Sequence, residues 1–214
     1  NQGHATPGQI PTRSEGSKKF RSLLAQHVAA ASPRRVRVLF EDEARFGRMS
    51  GVRTCWAPPG VRPVVAHLLV RKFINAWATI SPRDGQLVWG TSRRCDAGSV
   101  GEHLEKVARA FPREYLLVLL DGAGGHVAKD LVVPKRVHLV CLPPYSPELN
   151  PVEHLWDHLR ENHFGNLTFD TLAAMELRLW MALATAQFDQ PMLRSMTLFP
   201  WIDRACEPFG KVIV

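Results

Sequence analysis

Two stretches of the sequence run through apolar residues and end on an acid: VRVLFED closes on Asp42 and YLLVLLD closes on Asp121. A third acid, Glu153, stands three residues after Asn150 in LPPYSPELNPVEHLW. Carboxylates without a matching set of His or Cys make a hard-oxygen donor set, which suits Mg²⁺ or Mn²⁺ rather than zinc. Two such ions about 3.5–4 Å apart activate a water or a 3′-hydroxyl on one side of a phosphodiester and stabilise the leaving oxygen on the other. The chemistry open to these three acids is therefore in-line phosphoryl transfer.

Each acid also fits a purely structural role. Asp121 precedes Gly122 as a turn pair, Asp42 fits a solvated strand end, and Asn150-Pro151-Val152-Glu153 obeys the rules for starting a helix. There a capping box folds the Glu onto the cap and contributes about 1 kcal/mol. Position favours chemistry, because ligand sites in α/β sheets gather beyond the carboxyl ends of the strands. A period of two puts Val36, Val38, Phe40 and Asp42 on one face of their strand and Glu41 and Glu43 on the other, so Asp42 shares the apolar face. Val152, Leu155, Trp156 and Leu159 follow i, i+3, i+4, i+7, so their helix must dock, with Glu153 at the border of the docked stripe.

Around these acids the pattern predicts a mixed sheet flanked by helices. Residues 1–16 read as a polar arm, and SKKFRSLLAQHVAAAS as a helix capped by Ser17, with Phe20, Leu23, Leu24, His27 and Val28 on one face. From residue 36 the strand-like runs are 36–43, 52–56, 64–70, 73–80 and 86–91, an antiparallel meander. A helix over 96–111, a buried strand over 115–122, a short helix over 127–132 and a second buried strand over 137–142 follow. Helices from 151 and over about 169–186 complete the chain. The organisation expected is an arm and helix over 1–34 and a catalytic domain over 35–214, with C-terminal helices. The Trp residues at 56, 77, 89 and 156 are assigned mostly to the core.

The blocks VLFEDEARFG, LLDGAGGH and LPPYSPELNPVEHLW resemble the three signature blocks of DDE transposases of the mariner-like superfamily, in its bacterial insertion-sequence branch. The likeness runs over about residues 35–165 and takes in Trp56-Ala-Pro-Pro-Gly and Arg62-Pro63. It implies an RNase H-like α/β fold, an antiparallel meander plus parallel strands flanked by helices, in which Asp42, Asp121 and Glu153 hold two Mg²⁺ or Mn²⁺ ions. It further implies cleavage of DNA at transposon ends and joining of the freed 3′ ends to target DNA. Two features depart from the family pattern: Gly122 stands where Asn is frequent, and Glu153 follows Asp121 by 32 positions (153 − 121), slightly short of the commonest spacing. No counterpart of the family's end-recognising helix-turn-helix is evident. A silent DNA-binding relict and a stand-alone RNase H-like nuclease are the alternative readings.

Charge agrees with a polyanionic partner. Residues 1–72 hold 13 Lys/Arg against 4 Asp/Glu and residues 73–214 hold 14 against 16, so the net +7 divides into +9 and −2. A basic solvated face with no ligand gives the same count. Arg45, Arg48 and Arg53, just beyond the first acid, together with His126 and His154, are the candidate contacts to DNA phosphates. DGAGGH places Val127 where a dinucleotide-binding fingerprint needs its third glycine, so no nucleotide cofactor is expected. The expected partners are double-stranded DNA, as transposon ends and target, and a second copy in a homodimer. Four dispersed Cys, no membrane-length apolar run and no signal-peptide pattern give a cytoplasmic, nucleoid-associated expectation.

Overall fold

Strand β1 (Val36–Gly47) is the axis of the molecule, and its alternation of side chains divides the core in two. Val36, Val38, Phe40, Ala44 and Phe46 face one cluster, whereas Leu39 faces the other. The computed structural model describes residues 13–31, 34–48, 56–64, 70, 72–121, 130–143, 146–210 and 212–213. Within these, β1 pairs antiparallel with β2 (Phe73–Ser81), which pairs antiparallel with β3 (Gln86–Ser92). On its other side β1 runs parallel to β4 (Tyr115–Leu120), which runs parallel to β5 (Val137–Cys141). The order is β3-β2-β1-β4-β5, and a short β6 (Val212–Ile213) pairs with the start of β1.

The two faces carry unequal loads. Among the described residues, helix α2 (Ala97–Ala110) is the one that covers one face, burying Val100, Leu104 and Val107 against Leu116, Val118 and Leu120, and the Asp96 carboxylate accepts from the Ser99 N–H at 2.9 Å as its cap. The other face holds α1 (Arg13–Ala31), α3 (Val152–Asn162), α4 (Leu172–Phe188), α5 (Gln190–Thr197) and α6 (Pro200–Cys206). β4 is buried at all six positions because helices cover both of its faces, the reason its sequence is continuously apolar. This is the expected mixed sheet, a meander joined to parallel strands.

Several elements differ from the sequence reading. α1 begins at Arg13, four residues before Ser17, so Ser17 lies inside the helix rather than capping it. Among the described residues the meander has three strands; the strands expected over 52–56 and 64–70 lie, but for residues 56, 64 and 70, outside the described residues. The described residues 56–64 form no strand: Val61 N–H donates to Pro58 O in a turn at Gly60, and Trp56 and Val64 are fully or almost fully exposed. Pro58, Pro59 and Pro63 within this stretch supply no ladder N–H. Trp56 thus leaves the set of core tryptophans, while Trp77 and Trp156 are buried and Trp89 is half-buried. Residues 130–132 are not helical, and the rest of the 127–132 segment lies outside the described residues. β5 is an edge strand whose middle is half-buried, because no strand pairs beyond it.

The β2–β3 hairpin turns at Gly85, which has φ +67. A Cβ there would lie 2.3 Å from the backbone oxygen of Gln190, whereas Gly60, with φ +80, has nothing within 4 Å. Urea denaturation should therefore separate the two sites. Gly60→Ala is expected to cost about 1–2 kcal/mol from left-handed backbone strain alone, and Gly85→Ala clearly more, since the start of α5 must shift as well.

Candidate active site

Asp42 and Asp121 are brought together by strand register. The parallel pairing sets Phe40 beside Leu119, and the same offset of 79 (119 − 40, 121 − 42) carries Asp121 alongside Asp42 just beyond the end of β4. Neighbouring strands lie about 4.8 Å apart, and both acids continue the face that carries Phe40 on β1 and Leu117 and Leu119 on β4. Asp42 is buried, at 6% exposure, and Asp121 is exposed at the strand end.

The third acid arrives on α3. The proline-rich loop ends in a 3-10 turn, Pro147–Leu149, and Asn150 then takes an extended conformation. Its side chain works in two directions: Oδ1 accepts from the Val152 N–H at 3.2 Å, and Nδ2 donates to the Glu41 carbonyl at 3.1 Å. The helix start is thereby fastened to the backbone beside Asp42. Val152, Leu155, Trp156 and Leu159 are fully buried beneath it, and each apolar side chain so buried stabilises the docking by roughly 1.5–3 kcal/mol. Trp156 also donates from Nε1 to Asp42 Oδ2 at 2.9 Å.

The capping box, the structural alternative for Glu153, does not form. Its donor would be the Asn150 N–H, and that group donates to Pro147 O at 2.9 Å instead. The 3-10 turn has consumed the partner that would have held Glu153 to its own helix start. Glu153 remains half-buried beside the other two acids.

The electrostatics show how close they are. The Asp42 carboxyl is pushed up to about 7 by burial first and then by the charges of Glu153 and Asp121, against the lowering effect of the Trp156 bond and the Glu43 backbone N–H. Burial likewise raises Glu153, opposed by Arg160 and reinforced by Asp157 and Asp121. Glu41, on the reverse face of β1, is fully buried and stands well above the ordinary carboxylate range, through burial and then through Asp42, Asp121 and Glu43. Among the described residues no three His, Cys, Asp or Glu side chains already close on one point as a metal site. The acids are thus near enough to repel one another without converging. An all-oxygen, like-charged donor set of this kind fits a hard divalent cation, which removes the repulsion.

The remaining sequence candidates scatter. Arg45 is exposed on β1, with its guanidinium 5.0 Å from the Phe73 ring centroid and 4.0 Å from Glu43. Arg48 reaches back into the protein, donating to the carbonyls of Phe169 and Asp170 and so holding the segment that leads into α4. The His154 ring nitrogen Nδ1 lies 3.0 Å from Met196 O, with its ring edge-on to Phe199. Arg53 and His126 lie outside the described residues. Two residues with direct structural effect on the acids were absent from the candidate set. Asn150 had been read only as a cap and Trp156 only as core; their signal was the spacing to Glu153, three residues before and three after.

The family model of the DDE superfamily endonucleases matches residues 37–176, a span that contains all three acids. An uncharacterised protein of Sinorhizobium fredii, y4pE/y4sA, is 34% identical over 134 residues, covering 60% of this chain and 96% of that protein. The Tc3 transposase of Caenorhabditis elegans is 28% identical over 177 residues, covering 75% of this chain and 53% of the transposase. The crystallised catalytic domain of Mos1 mariner transposase superposes with a TM-score of 0.53 at 15% identity, covering 95% of this chain and 97% of that one. The Mos1 paired-end complex with Mn gives 0.58 at 16% identity, covering 97% and 66%. The fold is therefore that of the Mos1 RNase H-like catalytic domain, and the chain spans about half of Tc3 transposase and two thirds of Mos1.

The raised Asp42 carboxyl has a consequence for stability. A group whose folded value lies above its unfolded value of 3.8 stabilises fully below that pH, and the contribution is lost as pH rises through about 7. In the presence of EDTA, the wild-type protein should lose stability from pH 4 to pH 8. Asp42→Asn should flatten that profile and gain up to about 4 kcal/mol at pH 8, as about three units at 1.36 kcal/mol each, measured by urea denaturation across pH.

Proposed function

This chain belongs to the DDE superfamily endonuclease family, with the catalytic domain of a DDE transposase, and from that premise we propose how its residues act. Asp42, Asp121 and Glu153 hold two divalent cations, and the enzyme cuts DNA at transposon ends and joins the freed 3′ ends to target DNA. The observation that carries this reading is the arrangement of the three acids: the parallel register of β1 and β4 sets Asp42 beside Asp121, and α3, tied by Asn150 to the Glu41 carbonyl and by Trp156 to Asp42, brings Glu153 to them. Such an accumulation of like charge opposes folding unless it is kept for a cation.

When bound, Mg²⁺ or Mn²⁺ would supply Lewis-acid activation of a water or 3′-hydroxyl and stabilisation of the leaving oxygen. Asp42 and Asp121 hold their places because β1 and β4 are adjacent parallel strands tied to each other along five residue pairs, and β4 ends beside the middle of β1, where Asp42 stands. Glu153 is carried on a helix whose start is pinned by Asn150. Arg45, exposed on β1 three residues past Asp42 and beside Glu43 on the opposite face of the strand, is the candidate contact to a phosphate of the substrate backbone. The partner in this reading is double-stranded DNA, as transposon ends and target. Among the described residues no helix is long and apolar enough to cross a membrane.

Asp42→Asn, Asp121→Asn and Glu153→Gln should each lower Mn²⁺- or Mg²⁺-dependent cutting of a transposon-end duplex by more than about 100-fold, the scale of a lost transition-state contact. The assay uses labelled end and target duplexes together, so that cutting and joining are scored separately. Parent-like cutting by all three variants would overturn the assignment. Cutting without joining by the parent would identify a nuclease instead, and neither cutting nor joining by the parent a silent relict.

A further inference from the structure

An aspartate carboxyl turns easily about its last torsion, whose distribution is broad, so burial of Asp42 does not by itself aim its oxygens. The structure supplies a device that does. Trp156, fully buried on α3, places its indole N–H 2.9 Å from Asp42 Oδ2. Its ring is wedged edge-on against Phe46 of the same strand, with centroids 5.9 Å apart. A buried indole needs some acceptor, but packing alone did not require that acceptor to be the acid at the centre of the site.

We propose that Trp156 is a positioning residue for Asp42, fixing the carboxylate so that its remaining lone pairs face the cation. The inference rests on the metal-binding reading above. Glu153 and Trp156 lie three residues apart, so one turn of α3 both contributes a ligand and aims another. Asn150, bonded to the Glu41 carbonyl, sets the height at which that turn meets β1. The arrangement couples two acids that come from separate elements: a shift of α3 moves Glu153 and releases Asp42 together. A tryptophan that merely filled space would need the shape of the ring and not its N–H.

Trp156→Phe keeps most of the ring and removes the donor. Mn²⁺ affinity, measured by calorimetry on the metal-free protein, is expected to fall about 10- to 100-fold, the range for partners that orient metal ligands. Phe164→Leu, in the same aromatic cluster 4.9 Å from Phe46, should lower the melting temperature and leave Mn²⁺ affinity within twofold. Nitrogen-15 labelling of the six tryptophans provides a second readout that needs no variant at this position: the Trp156 indole resonance should move on Mg²⁺ addition and stay still in Asp42→Asn, while that of Trp77, buried on the opposite face of the sheet, should not respond. Wild-type Mn²⁺ binding with an unchanged affinity in Trp156→Phe, or a Trp156 indole that ignores Mg²⁺, overturns the positioning role alone. If the wild type shows no Mn²⁺ binding that Asp42→Asn abolishes, the metal reading falls, and this inference with it.

Discussion

Three carboxylates have to be held beside one another against their own repulsion, and the rest of the structure follows from how that is done. Two of them are placed by backbone alone. β1 and β4 are parallel neighbours whose hydrogen bonds fix the register, so Asp42 and Asp121 come out side by side whatever their charges prefer. The third depends on side chains, because a helix can slide or rotate on a sheet in ways that a paired strand cannot. Asn150 and Trp156 remove those freedoms, one at the helix start and one a turn and a half further on.

The proline-rich loop has a further part in this. Its 3-10 turn occupies the Asn150 N–H, which would otherwise have drawn the Glu153 carboxylate back to the helix start. A common stabilising motif is thus forgone where the carboxylate is needed elsewhere. The same trade is visible at Asp42, whose burial next to two other acids opposes the ionised form. Functional sites are where such local losses are tolerated, since the core around them supplies the difference. Here that core is extensive: every residue of β4 and the whole docked stripe of α3 are buried.

The unequal covering of the sheet also has a functional side. Among the described residues α2 lies on one face and five helices pack on the other, and Asp42 and Trp156 belong to the heavily covered face. Asp42 therefore sits at the rim of a thick, dry layer that sharpens electrostatic interactions, with Asp121 opening towards solvent. Glu41, one residue earlier, points to the thin side and is fully buried there. A one-residue change of register in β1 would exchange the two, which is why the alternation of that strand matters so much.

Much of this was legible in the sequence. Strands β1 to β5, α2 and α3 follow from apolar periodicity, and the alternation of VRVLFED already assigned Asp42 to the face it occupies. The family resemblance, carried by three blocks, pointed to the same three acids. Local patterns failed where partners decide the outcome. The Trp56 side chain, read as core from its apolar neighbours, is instead exposed beside a turn at Gly60. Capping rules allowed a bond between Glu153 and its helix start as the alternative to a site role, and a neighbouring turn took the donor. Periodicity identifies which residues are apolar on a face; it carries no information on which acceptor a buried N–H will find. That Trp156 reaches Asp42, 114 residues away in the chain, was settled only when β1 and α3 were brought together, since the contact depends on their relative register and not on either segment alone.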